Sequence, residues 1–252
     1  MAAEARRQGW RVVAFAFPGS ADLGGAVDAM IPCRIDTMAP VLAALDREKV
    51  SGVLLSGKFW MGDLLAARAP DAAHANLATR AGALLDGNIT QVIVGALNGM
   101  GIELLDQRPF LGDWLGAARL WSVREPGEAE WRDIRRGFTV ARLNAEASVG
   151  QTVVVKRGVV SAVEAIEGTT ETIRRGTALS GSGAVVVKAV ARGHDFRFDT
   201  PAIGPDTLQA AAAGGATAVA VQARSVMILD VEAMVRCADA AGIALVSADD
   251  AD

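Results

Sequence analysis

The sequence predicts an α/β protein with an N-terminal Rossmann-like parallel α/β domain and a C-terminal mixed α+β domain. Three observations carry this. Across the first half, short apolar runs alternate with longer helical patterns, which is how a parallel layer reads. In the second half two β-rich runs are separated only by Lys156-Arg157-Gly158, a hairpin signal foreign to a purely parallel layer. Finally, 252 residues that are 51% hydrophobic and 21% charged bury a real core and are not disordered.

In chain order, the segment up to Gly9-Trp10 reads as the end of a helix. A parallel layer normally begins with a strand and a Gly-rich turn ahead of such a helix, so the first strand is expected upstream of this sequence. "RVVAFAF" (11–17) is short, β-rich and stopped by Pro18-Gly19, hence a strand. "MAPVLAALDREKV" (38–50) is a helix that Asp36 or Thr37 can cap, and "SGVLLSG" (51–57) a second buried strand. Residues 62–87 are helical with a break at Ala69-Pro70, because proline disfavours helix in the residue before it. A further helix over 89–101 and a strand at "IELLD" close this part.

Residues 127–148 are charged and helical without a strong apolar stripe, which suggests a linker between a domain at 1–126 and another at 149–252. Beyond it come the hairpin, a short helix at "TTETIRRG" that Thr169 can cap, and the strand "GAVVVKAVA" (183–191). A helix over 206–215 starts at Asp206 and stops at Gly214-Gly215. "TAVAVQA", "SVMILD", the helix "VEAMVRCADAAG" and the strand "IALVSA" complete the chain.

Several classes are excluded or disfavoured. A net charge of −4 with interspersed acids and bases leaves no nucleic-acid footprint. No apolar run reaches the roughly 18–20 residues of a membrane span, and "MAAEARRQGW" has no signal-peptide core. Cys33 and Cys237 lie far apart without a second Cys or His at ligand spacing, so they read as buried thiols in a reducing, cytoplasmic setting.

The polar chemistry is concentrated in "HDFRFDTPAIGPDT" (194–207). At strand period Phe196 and Phe198 share one face, and Asp195, Arg197 and Asp199 the other. Pro201 and Gly204-Pro205 then make a rigid turn into a helix at Asp206-Thr207, where free N–H groups favour a phosphate. The same residues also fit an exposed edge strand with an Arg–Asp pair and a helix cap. In "VEAIEGTTE" (163–171), Glu164 and Glu167 follow an apolar strand. With Asp195 and Asp199 they form a candidate oxygen cage for Mg²⁺, against the plainer reading of a cap with a solvated Glu. Lys188 suits either an anionic ligand or an edge position with its stem buried. Gly57-Lys58 follows a buried strand, where α/β folds bind ligands, but lacks P-loop spacing. His74 and "SGSG" read as bystanders, and no Ser or Cys nucleophile pattern accompanies His194.

Taken together, "VVVKRGVVSAVEAIEGTTETIRR", "VVVKAVARGHDFRFDTPAIGPDT" and "TAVAVQARSVMILD" resemble the LpxI family, the UDP-2,3-diacylglucosamine pyrophosphatases of lipid A synthesis in Gram-negative bacteria. The likeness is strong over the second half; in the first it rests on layout and on the Gly57-Lys58 and Gly87-Asn88-Ile89 loops. The signature of the family is a Lys, then Gln-Asp-x-Arg-x-Asp-x-Pro-x-Ile-Gly, then a Thr. It falls here on Lys188, His194, Asp195, Arg197, Asp199, Pro201, Ile203, Gly204 and Thr207.

The resemblance implies metal-dependent hydrolysis, with Mg²⁺ or Mn²⁺, of a lipid-linked nucleotide sugar to UMP and 2,3-diacylglucosamine 1-phosphate. Asp199 takes the place of the family's essential acid, with Arg197 and Asp195 beside it. Asp199, Glu164 and Glu167 are the implied metal carboxylates. Lys188, His194, Gly204, Thr207, Thr169, Gly57 and Lys58 are the implied substrate contacts. A homodimer in the cytoplasm, touching the inner membrane at its surface, follows from the same likeness. The chain departs from the family at Thr170 and at Gly87-Asn88-Ile89, where acids are lost, at His194 in place of Gln, and at Gln222-Ala223-Arg224 in place of an "EAG". These departures keep two other readings open: a non-catalytic binding or regulatory homologue, and a hydrolase of another nucleotide-linked substrate.

Overall fold

Valines set the frame of the second half, and their alternation decides which helix covers which face. The structure is a computed structural model that describes residues 1–17, 23–34, 37, 39–57, 72 and 94–249. It divides into two units, Met1–Gly112 with Asp195–Asp199, and Asp113–His194 with Thr200–Asp252.

The first unit begins with helix α1 (Ala2–Arg7). Strand β1 (Val13–Ala16) pairs in parallel with β2 (Ala29–Pro32), a strand the apolar pattern does not announce. Helix α2 (Ala39–Arg47) follows, and β3 (Gly52–Val53) pairs in parallel with β4 (Glu103–Leu104). Parallel pairing is what strand–helix alternation predicts. Leu45, Leu97, Ile102 and Leu104 form the core here, with Phe15 and Phe198 packed on it. Residues 94–99 are helical, within the helix expected over 89–101. The helix expected over 62–87, Lys58, and Gly87-Asn88-Ile89 lie outside the described residues.

The second unit is a mixed six-stranded sheet. It comprises β5 (Arg119–Leu120), β6 (Thr152–Lys156), β7 (Val159–Val163), β8 (Val185–Lys188), β10 (Ala218–Gln222) and β12 (Ala244–Ala248), in the order β5-β12-β10-β8-β6-β7. The three strands β12, β10 and β8 are parallel, while β6, β7 and β5 run antiparallel to their neighbours. Helix α3 (Glu128–Glu146) covers one face, where Ile134, Phe138 and Ala141 meet Val153, Val155, Val185 and Val187. The intervening Val154 and Val186 pack on the other face with Ile173, Leu208 and Met234. These come from α4 (Thr169–Ser180), α5 (Pro205–Ala213) and α6 (Val231–Ala241). A strand covered on both faces reads as an unbroken apolar run, which is why "TVVV" and "AVVV" showed no alternation. A short parallel pair, β9 (Ala202–Ile203) with β11 (Met227–Ile228), completes the unit.

The hairpin forms where the sequence places it. Arg157 and Gly158 both have positive φ, +50° and +76°, as a tight turn between right-twisted strands requires. The buried Asp133 carboxylate on α3 accepts both their N–H groups, at 2.8 and 2.6 Å. The segment 127–148 is therefore no linker. Its helix is built into the sheet, and its contact stripe escaped notice because Gly137 and Ala141 supply part of it. A Cβ on Gly137 would stand 2.3 Å from Cγ2 of Val187, so the helix lies against the strand at the closest approach glycine permits.

Three further expectations are corrected. Residues 195–199 are a turn and not a strand. The Asp195 carboxylate accepts the Arg197 N–H at 3.1 Å and the Asp195 carbonyl accepts that of Phe198 at 3.2 Å, bending the chain locally. Helix α5 starts one residue earlier than expected and takes Gly204, not Asp206, as its N-cap. Gly168, not Thr169, precedes α4, because the Thr169 hydroxyl is used elsewhere. Among the described residues no helix is long and apolar enough to cross a membrane, and both cysteines are unbridged and only half-buried.

Candidate functional site

The candidate residues fall into two groups, one in each unit. In the second unit four strands and helices deliver a buried polar cluster. Lys188 ends β8, directly opposite Thr152 at the start of β6. Glu164 follows the last residue of β7, and Thr169 is the first of α4. The Lys188 Nζ donates to Thr169 Oγ1 at 2.8 Å and to Thr152 Oγ1 at 3.5 Å, and lies 3.8 Å from Glu164 Oε2. Thr169 Oγ1 in turn donates to Glu164 Oε1 at 2.9 Å, and the Gln151 N–H to Oε2 at 3.1 Å. Asn144 Nδ2 braces the rear by donating to the carbonyls of Gly150 and Glu164.

Lys188 and Glu164 are only 6% and 8% exposed. Burial pushes the Glu164 carboxyl up, but the Lys188 charge and the bonds from Thr152, Thr169 and Gln151 outweigh it, holding the carboxyl below its usual range. The carboxylate and the ammonium are thus held together almost out of solvent, the ammonium donating to two hydroxyls and the carboxylate accepting from a hydroxyl and a backbone N–H.

Glu167 stands apart from this cluster. Its Oε1 accepts from Arg175 Nη2 at 2.5 Å and from Thr172 Oγ1 at 3.3 Å, and its own backbone N–H, then these donors, hold it below the usual carboxylate range. Of the remaining predicted contacts, His194 closes a turn through its N–H to the Ala191 carbonyl. Gly204 caps α5, with the Thr207 hydroxyl accepting its N–H at 3.5 Å.

In the first unit, Arg197 grips Asp195 with two prongs, Nε to Oδ1 at 2.9 Å and Nη2 to Oδ2 at 2.6 Å. Asp195 in turn holds the guanidinium above its ordinary value. Phe198 enters the unit's core, and the next residue, Asp199, is exposed. Gly57, with φ +107°, is an exposed turn beyond β3.

A second turn repeats this geometry and was missed in the sequence. Asp106-Gln107-Arg108 closes on itself as Asp195-Phe196-Arg197 does, with the Arg108 N–H 2.8 Å from Asp106 Oδ1 and its guanidinium bidentate on the carboxylate. The repeated Asp-x-Arg spacing was the available signal. Thr152 and Asn144 carried none, since their roles come from strand pairing and helix packing.

As ligands of a divalent cation, the three expected carboxylates do not fit as a set. Both oxygens of Glu164 are occupied, and Lys188 already neutralises it; Glu167 is matched by Arg175. Among the described residues, no three His, Cys, Asp or Glu side chains lie together as a metal group. Of the three, Asp199 is the exposed one.

The fold and these clusters define a two-unit α/β protein whose charged groups gather at strand ends and the turns beyond them, where open α/β sheets take ligands. The chain matches the LpxI N-terminal domain over residues 1–114 and the LpxI C-terminal domain over residues 117–246. It is 32% identical over 158 residues to the UDP-2,3-diacylglucosamine pyrophosphatase LpxI of Caulobacter vibrioides, an alignment covering 59% of this chain and 56% of that protein. The protein belongs to the LpxI family.

Proposed function

We propose that this protein hydrolyses the pyrophosphate of UDP-2,3-diacylglucosamine, giving UMP and 2,3-diacylglucosamine 1-phosphate for lipid A synthesis. The observation that supports it best is the 195–199 turn, which ends on an exposed carboxylate beside an arginine already oriented by its own aspartate. Asp199 takes a proton from water as the water oxygen bonds to one phosphorus. The bridging P–O bond breaks, and its electron pair stays on the leaving phosphate. Arg197 offsets the charge that gathers on the phosphoryl oxygens. Lys188, His194, Thr169, Gly204 and Thr207 are the proposed substrate contacts of the second unit, and Gly57 and Lys58 those of the first.

A Mg²⁺ or Mn²⁺ ion, when bound, supplies charge neutralisation on the phosphates, and Asp199 is the residue that would hold it. Glu164 and Glu167, already paired with Lys188 and Arg175, would not serve as its ligands. The partner is a lipid-linked nucleotide sugar met at the inner-membrane surface, the setting is cytoplasmic, and the assembly is a homodimer.

The same paired carboxylates favour a second reading, a homologue that binds the lipid sugar nucleotide without turning it over. Measuring UMP release with Mg²⁺, beside Asp199→Ala, separates the two. Release abolished by the substitution supports the hydrolase. Saturable binding of the substrate by folded protein without any UMP supports the binder.

A further inference from the structure

The two Asp-x-Arg turns of the first unit are locked together. The N–H of Gln107, the middle residue of one, donates to the carbonyl of Phe196, the middle residue of the other, at 3.1 Å. The Arg108 guanidinium lies over the buried Phe196 ring, with Cζ 4.6 Å from the centroid. Arg108 is itself held by the Asp106 carboxylate, so its plane is fixed before it meets the ring. On the far side of the same turn Phe198 is packed on the core of Leu45, Leu97, Ile102 and Leu104.

From this geometry we propose that Arg108 is a positioning residue for Asp199, acting by clamping the 195–199 turn through the Phe196 ring. The role rests on the reading of Asp199 as the reacting carboxylate. The physical case is leverage. A five-residue turn has little structure of its own, being closed by the Arg197 and Phe198 N–H bonds to Asp195. Among the contacts that tie it to the rest of the unit are a backbone bond, a cation over an aromatic face and the partly buried Phe198. Asp199 lies one residue beyond the last of these, so any tilt of the turn is passed to its carboxylate. Arg108 is more than half exposed, and this separates the clamp from a core role, because its removal opens no cavity.

The test compares Arg108→Ala and Arg108→Lys with the intact chain, by UMP release and by amide hydrogen exchange over residues 195–199. For Arg108→Ala the expected kcat falls roughly 10- to 100-fold, the cost of misplacing a reacting group by about an ångström, while KM stays within about threefold. Exchange of the Arg197 and Phe198 amides quickens about tenfold, with the remaining amides unchanged. Arg108→Lys keeps a cation over the ring but loses the bidentate hold on Asp106, and recovers part of both effects. A raised KM with unchanged kcat and exchange would overturn the proposal by making Arg108 a substrate contact. Unchanged exchange with unchanged kinetics would overturn it too, leaving only a surface ion pair. Should the intact protein release no UMP, the hydrolase reading fails on its own, and the exchange measurement still decides whether Arg108 clamps the turn.

Discussion

Lys188 and Glu164 face one another at 3.8 Å from the ends of two strands that flank β6, both more than nine-tenths buried, with the Thr169 hydroxyl bridging them. Such a pair adds little over a well-packed apolar one, but removing a single partner strands a charge away from water. Lys188→Met and Glu164→Leu should each lower the unfolding free energy by about 3–5 kcal/mol, and the double substitution by clearly less than their sum. Urea denaturation of the four proteins measures this. Single losses below about 1 kcal/mol would show that water reaches the pair.

Acid should act on the same carboxylate. Its folded value lies below the unfolded one of about 4.3, because Lys188 and the Thr152, Thr169 and Gln151 donors outweigh burial. The unfolded chain therefore takes up the proton first. The stabilisation is fully present above about pH 4.3 and is lost as pH falls through the folded value. Urea midpoints measured between pH 7 and pH 3 should fall on the acid side, and Glu164→Gln should flatten that fall. An equally steep fall in Glu164→Gln would assign the acid sensitivity to other carboxylates.

Gly137 offers a test whose sign decides. On helix propensity alone, Gly→Ala inside α3 should stabilise by about 1 kcal/mol. Here the new methyl would meet Val187 at 2.3 Å, and overpacking costs about 1–3 kcal/mol. Gly137→Ala is expected to lower the melting temperature. A rise would mean that helix and strand part easily.

Most strands, the hairpin and the helices of the second unit were legible in the sequence because their signals are local (apolar runs, turn residues, caps), whereas the short strands β2, β5 and β9 were not. Helix α3 was legible as a helix but not as a sheet-packing one, since Ala141 adds little and Gly137 nothing to an apolar stripe, although Gly137 lets the helix lie close against Val187. At 195–199 the alternation of Phe and charge suggested a strand. The Asp195 carboxylate prevailed by capturing its neighbour's N–H, a local competition that periodicity does not register. Glu164 and Lys188 were each picked out by chemistry. That they belong to one another is a matter of which strands flank β6, and the separation of the two in sequence conceals it.

That pairing has a consequence for metal dependence. Glu164 is buried and already faces an ammonium, whereas Asp199 is exposed at the surface. In a Mg²⁺ titration of UMP release, Glu164→Gln and Glu167→Gln should leave the half-saturating concentration within about threefold of the intact protein, whatever they do to stability. Asp199→Asn should either abolish release or move that concentration upward by roughly tenfold or more, as loss of a charged ligand does. The comparison is made at a temperature where all four proteins are folded by circular dichroism. A large upward shift in Glu164→Gln would mean that Lys188 gives up its partner when substrate binds, and that the buried pair is a resting state of the site.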